Sequence, residues 1–329
     1  MAYSPYSTSV MQFAREVTAG TVPDSMTDIW RGEFSMLEDT RERVIVAEQV
    51  GAFTQSERSY DAKLQAAWAQ PSTPMTFEQV CHILEGGVKT ATPSGTGPYV
   101  RVYNYPYTGT SVNTIKTYAF RGGSAIVAED VYQSGYGFVE SFEFSGSFGE
   151  SWTKSSNWIL QQMSAGTLTS GLSLDTVNEV LFPQTLLYID ASGGTIGTTQ
   201  MSGVLMSASI NVTTGLMPVP VGDGQLYYTT YKWTQPEVTF SLTLELEDSS
   251  VVADERDAYR ANSIRLIRLK STNAVGRIFQ VDMAAKYDTV GPYTNSEGNT
   301  TVTLDGHMVA SASDSMALTF TITNGVSAL

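Results

Sequence analysis

Apolar and polar positions alternate along much of this chain. In 238–246, Val238, Phe240, Leu242, Leu244 and Leu246 take one face and Thr239, Ser241, Thr243 and Glu245 the other, the period of a half-buried strand. Stretches 204–212, 300–309 and 138–148 read the same way, the last with Phe142, Phe144 and Phe148 set against Ser141, Glu143 and Ser145. Shorter strands are expected at 44–46, 60–69, 99–105, 114–120, 157–161, 186–189, 264–269, 277–283 and 316–323. Three stretches carry helical spacing instead. Phe77, Val80, Cys81 and Leu84 recur at i, i+3, i+4 and i+7 behind Thr76, with Gln79 completing a capping box and Gly86-Gly87 as the stop. A second helix is expected over 251–261, capped by Ser249 or Ser250 and carrying Asp254 and Glu255 in its first turn. Val10, Phe13, Ala14 and Val17 behind Ser9 predict a short N-terminal helix, too small for its own core and therefore docked on its own domain or a neighbouring chain.

The order of elements repeats: strand, strand, helix, then four strands, in each half. Sliding 140–162 forward by 160 positions lays it over 300–322 with the alternation kept, Gly146 over Gly306, Ser151 over Ser311 and Ser155 over Ser315. The fold expected is mainly β: two tandem β-sandwich or barrel units, each with one flanking α-helix. The boundaries are an N-terminal arm with the short helix (1–29), a first β domain (30–163), a Ser/Thr/Gly-rich linker (164–184) and a second β domain (185–329). Two long connections, 122–137 and 215–235, do not fit the repeat. The second is rich in contact-prone residues, Met217, Pro218, Tyr227, Tyr228, Tyr231 and Trp233. It reads equally well as an arm reaching another subunit or as a hairpin folded onto its own sheet.

Composition narrows the functional classes. With 329 residues and 42% hydrophobic content the chain can bury two cores, while a net charge of −14 disfavours a phosphate-gripping nucleic-acid surface. One cysteine, Cys81, excludes an intrachain disulfide framework and a multi-cysteine metal site. No basic and apolar leader opens the sequence and no stretch reaches membrane-spanning length, so a soluble product is expected and the sequons at Asn211 and Asn299 are read as chance.

Catalytic constellations are not expected. The two histidines, His82 and His307, fall in different halves and no G-x-S-x-G elbow is present. His82 is expected on the solvent side of its helix and His307 on the outward side of its strand. Acidic residues are numerous, but each is explained by a solvated strand face or a helix start. The glycines at Gly95 and Gly97 lack phosphate-loop spacing, and Asp223 between Gly222 and Gly224 is one carboxylate where calcium wants six or more oxygens. No cofactor and no metal are expected.

Two strand–helix–strand passages, YDAKLQAAWAQPSTPMTFEQVCHIL and PEVTFSLTLELEDSSVVADERDAY, together with the paired terminal stretches, resemble the major tail tube protein of long-tailed bacteriophages. The similarity runs from Trp30 to Leu329 and is one of pattern and element order. It implies a structural virion protein of the tail, made in the host cytoplasm, that closes into rings stacked as a tube for the genome. In that family six units make a ring whose inner wall is a continuous sheet, so a duplicated chain implies a trimer with pseudo-sixfold symmetry. The resemblance also implies tape-measure and tail-terminator proteins as partners, and double-stranded DNA that passes without specific binding. Asp61, Glu143, Glu245, Glu247 and Asp305 are the acidic candidates for the lumen, and the 215–235 residues named above are the candidates for contacts between subunits. The competing reading is a non-assembling tandem carbohydrate-binding module with Tyr103, Tyr105 and Tyr107 as an aromatic platform. A weaker third is an acid-pair glycosidase.

Overall fold

The computed structural model describes residues 5–51, 53–54, 57–108, 111–127, 130–246, 251–296 and 298–329. Strands dominate. The first half runs β1 (Ser9–Arg15), β2 (Asp28–Ile29), β3 (Glu38–Asp39), a hairpin of β4 (Glu42–Ile45) and β5 (Ser59–Lys63), and β6 (Ala66–Pro74). Helix α1 (Val80–Gly87) follows, then β7 (Tyr99–Asn104), β8 (Tyr118–Ser124), β9 (Val131–Ser147), β10 (Thr153–Leu160) and β11 (Ser164–Ala165). The second half opens with β12 (Thr185–Ala191), β13 (Gln200–Met201), β14 (Leu205–Thr213), a hairpin of β15 (Leu216–Val219) and β16 (Thr230–Trp233), and β17 (Glu237–Glu245). It closes with α2 (Val251–Arg260), β18 (Arg265–Thr272), β19 (Ile278–Val290), β20 (Thr294–Ser296), β21 (Asn299–Met308) and β22 (Leu318–Asn324).

The two halves are wired alike, and every ladder is antiparallel. In the first, β1 pairs with β2 and β8, β3 with β6, β6 with β10, and β9 with β8 and β10. In the second, β12 pairs with β13 and β18, β14 with β17, β17 with β21, and β19 with β18 and β21. Each half inserts a hairpin before the strand that leads to its helix. A matched irregularity fixes the alignment: Glu140 is skipped in the β9–β10 ladder and Asp288 in the β19–β21 ladder. The corresponding shift is therefore 148 positions, and β9 answers to β19. Under the 160-position shift β9–β10 would match β21–β22, but β9 and β10 pair directly whereas β21 and β22 both pair with β19. Gly146 and Gly306 are not equivalent, although a side chain at either would collide with an aromatic ring, Phe182 or Phe240.

The halves share one sheet and one core. Seven residue pairs join β9 to β14, and six join β7 to β22. Phe142 and Phe144 of the first half pack with Phe320, and Phe144 also meets Phe279, in the second.

Two local expectations are corrected. Residues Ser9–Arg15 form a strand, not a helix, paired residue for residue with β8 and buried on both faces from Met11 to Ala14. A short run buried on both faces has no period that separates strand from helix. Helix α1 is enclosed on all sides, so His82 is buried, 6% exposed, instead of facing solvent. Its Nδ1 lies 3.1 Å from the Tyr118 hydroxyl, and burial, with Arg15, Arg101 and Lys154 nearby, lowers its pKa to about 3. Thr76 accepts the Gln79 N–H as expected, but the Gln79 side chain donates to the Ile29 carbonyl.

Candidate functional site

Alternation on five neighbouring strands, in the order β10–β9–β14–β17–β21, divides their side chains sharply. Inward go Phe142, Phe144, Ile210, Val212, Phe240, Leu242, Leu244, Val302 and Leu304, all buried. Outward, the register draws continuous polar rows across both halves. One row reads Ser155, Glu143, Asn211, Thr239 and His307, and the next Thr153, Ser145, Ser209, Ser241 and Asp305. Glu237 and Glu245 sit near the two ends of β17 on the same face. Lys154 is the single Lys or Arg in these five strands, and it points inward with no exposed surface.

Small hydroxyl and amide groups hold the face together. Ser145 and Thr153 hydroxyls lie 2.9 Å apart, and Asn157 donates to the Ser141 hydroxyl at 3.1 Å. Thr289 donates to Asp305 at 3.0 Å, and Asn299 donates to Glu245. His307 Nδ1 lies 2.7 Å from the Asp288 carboxylate at one border. The surface is anionic and hydrogen-bonding. Adjacent strands lie ~4.8 Å apart, so Glu143 and Asp305, three strands from each other, are separated by roughly 14 Å along the sheet. That exceeds the roughly 5–9.5 Å over which an acid pair cleaves a glycosidic bond.

Of the acidic candidates, Glu143, Glu245 and Asp305 fall on this face, and Glu237 joins them although the sequence pattern did not single it out. Asp61 does not. It lies on the β4–β5 hairpin, 2.7 Å from Arg43 and 3.1 Å from Arg41, and hydrogen bonding to Arg43 holds its carboxyl below the usual range. Alternation gives the phase of a strand but not the sheet that it joins. Glu247 lies outside the described residues.

The 215–235 connection forms the β15–β16 hairpin and folds onto its own chain. Tyr228, 1% exposed, donates its hydroxyl to the Tyr136 carbonyl at 2.8 Å, and its own carbonyl accepts from Gln161 at 2.7 Å. Trp233 Nε1 donates to the Asn113 carbonyl at 3.0 Å. Tyr228 and Tyr231 lie against Phe138, and Leu216 completes an apolar patch with Phe138 and Ile159. Tyr228 is thus buried within its own chain, the hairpin alternative of the two readings. Met217 remains exposed, while Pro218, Tyr227, Tyr231 and Trp233 are half-buried. The hairpin that sequence reading missed is β4–β5, whose Ile45 and Tyr60 are exposed, as are Val50 and Phe53 in its loop.

The aromatic platform also fails. Tyr103 and Tyr105 are buried, and only Tyr107 is partly exposed. Among the described residues no group of three or more His, Cys, Asp or Glu side chains could hold a metal ion, and no helix is long and apolar enough to cross a membrane. No family model and no curated protein matches the chain.

Proposed function

We propose that this chain is a structural ring-forming protein whose cation-free sheet face lines a channel for double-stranded DNA, as in a phage tail tube. The observation that carries this reading is the five-strand face, polar or acidic at row after row across both halves, with its one lysine turned away. Carboxylates and hydroxyls keep a polyphosphate from sticking, because tight binding to DNA depends on Lys and Arg displacing counterions. The duplicated wiring supports closure: each chain would supply two of six quasi-equivalent positions, three chains would make a ring, and stacked rings a virion tail tube. Closing a ring also covers sheet edges that invite uncontrolled pairing. Tape-measure and tail-terminator proteins are the partners such a tube implies.

Negative-stain imaging together with sizing at high concentration tests the reading. Rings or hollow rods of threefold symmetry are expected. A chain that stays monomeric across the accessible concentration range refutes it.

A further inference from the structure

The joint between the two halves of one chain specifies the joint between two chains, and we infer that it forms between the far end of β19 and the segment that precedes β4. This inference rests on the ring reading for its closure at three. Within the chain, β8 covers one flank of β9 only as far as Gly137, and β14 takes over that flank from Ser141 to Ser147. In the second half β18 covers the same flank of β19 only as far as Ala285. Beyond Ala285 no strand pairs there among the described residues. Of the positions that correspond to Ser141–Ser147, Thr289 and Val290 lie in β19 and Thr294 and Asn295 in β20, and among the described residues no strand lies on that flank of them.

The strand that should fill it is the counterpart of β14. The ladders place Asn211 and Val212 opposite Thr239 and Val238 of β17, and Glu38 and Asp39 opposite Ala67 and Ala66 of β6. The counterpart of β14 is therefore the run 34–40. All seven residues of the matching part of β14, Ser207–Thr213, are in strand, but only Glu38 and Asp39 of this run are. The remainder lies beside β6, with Trp68 Nε1 donating to the Ser35 carbonyl and the Tyr6 hydroxyl to the Phe34 carbonyl, each at 2.9 Å, around a groove of about 890 Å³ whose walls are Gly32–Ser35, Ala69–Pro71 and the N-terminal Tyr6, Ser7 and Ser9. β14 is complete because β9 flanks it, and 34–40 is incomplete because its flanking strand belongs to another molecule.

The hairpins agree independently. Arg43 and Asp61 face each other in β4–β5 where Leu216 and Trp233 face each other in β15–β16. The β15–β16 hairpin is apolar and lies on Phe138 and Ile159. The 148-position shift turns those two into Lys286 and His307, with Asp288 beside them. The hairpin that would land there in the next chain carries Arg41, Arg43 and Asp61. Inside the chain the apolar side of the hairpin meets an apolar patch; between chains both surfaces carry charges of both signs, so Asp61 has Lys286 and Asp288 has Arg41 and Arg43 as opposite charges on the facing surface. The occupant of the open edge is thus a second copy of this chain, with Thr289 opposite Thr40 as Ser141 is opposite Thr213.

Cysteine pairing tests the register, and the buried Cys81 leaves a clean background. Under mild oxidation, Ser141→Cys with Thr213→Cys closes within one chain and serves as the yardstick. Thr289→Cys with Thr40→Cys is expected to link chains into covalent species that stop at three, and an equimolar mixture of the two single variants to stop at two. On assembly of the unmodified chain, slowed amide exchange is expected at 32–40 and 286–296. Particles that assemble while the 40–289 pair stays reduced and exchange in those segments is unchanged overturn the joint and leave the ring standing. A covalent ladder that runs past three supports the joint and overturns the ring. No assembly and no linkage overturns both.

Discussion

Lys154 offers a sharp test of the packing beneath the polar face. Its ammonium has no exposed surface and, among the described residues, no hydrogen-bond partner, and it lies 4.4 Å from the centre of the Trp30 ring. Burial pushes its pKa down from 10.5 to about 7. Holding that group in the folded chain at pH 7 therefore costs about 4 kcal/mol relative to the unfolded chain, where it is freely solvated. The Trp30 ring offsets roughly 1–2 kcal/mol of this by cation–π attraction. Methionine has similar length and no charge, so Lys154→Met should stabilise the fold by about 2–3 kcal/mol at pH 7, read as a higher urea midpoint at unchanged slope. The sign of the pH dependence supplies a control. The folded pKa lies below the unfolded one, so between pH 7 and 10.5 the unfolded chain binds more protons and the wild type gains stability as pH rises. The gap between the two proteins should close by about pH 10. A gap that persists undiminished there, or a methionine variant less stable than wild type at pH 7, refutes the reasoning.

The remaining predictions use the same logic. Tyr228→Phe removes the hydroxyl that holds the β15–β16 hairpin to Tyr136 and should cost about 1 kcal/mol, whereas Tyr228→Ala should cost about 3–5 kcal/mol by leaving a cavity over Phe138, both measurable by denaturant titration. His82 is held neutral when folded, with a pKa of about 3 against an ordinary 6.5, so it removes stability as pH falls from 6.5 towards 3. His82→Phe should flatten that part of the stability profile, and an unchanged slope would show that the ring is not buried. Glu143→Gln with Asp305→Asn should leave assembly intact, while Glu143→Lys with Asp305→Lys should make assembled particles retain double-stranded DNA at low salt in a mobility assay. Loss of assembly in the Gln/Asn variant would remove these residues from the channel wall.

Much of the fold was legible because period two is hard to hide. Alternation announced most of the long strands and the inward or outward phase of Glu143, Glu245 and Asp305, but 122–137, read as a connection, holds the end of β8 and the first seven residues of β9, which are mostly buried and show no alternation. Register was not legible, for a physical reason: any even shift preserves a two-residue period, so 160 and 148 satisfy the alternation equally. What separates them is the bulge at Glu140 and Asp288, where the inward phase switches from Val139 to Phe142 and from Tyr287 to Val290, a one-residue slip that is easily lost within a longer apolar run. His82 and β1 were misplaced for a related reason. Periodicity reports an interface between a covered and an uncovered face, and neither α1 nor residues Met11–Ala14 has an uncovered face.

The low identity between the halves follows from where each joint forms. The β9–β14 joint and its hairpin are closed in every folded molecule, so Phe138, Ile159, Tyr228 and Leu216 never face water for long and an apolar contact carries no penalty. In the proposed ring the equivalent surfaces, at half-buried Lys286, His307 and Asp61 and exposed Arg43, would be covered only by a neighbouring chain. A large apolar patch there would bring chains together in any register, and an open strand edge beside it would fix the error. Both surfaces carry charges of both signs, Lys286 beside Asp288 and Arg41 and Arg43 beside Asp61, so a register that sets like charges together is penalised and one that sets unlike charges together is favoured. The two copies can thus keep the same wiring and the same bulge while diverging most where one meets its own chain and the other meets the next. Exchanging the pairs, by placing Phe at 286 and Leu at 43, should retain the fold but produce irregular aggregates by light scattering in place of discrete particles. Discrete particles from that variant would show that charge at positions 43 and 286 is not needed to keep the register.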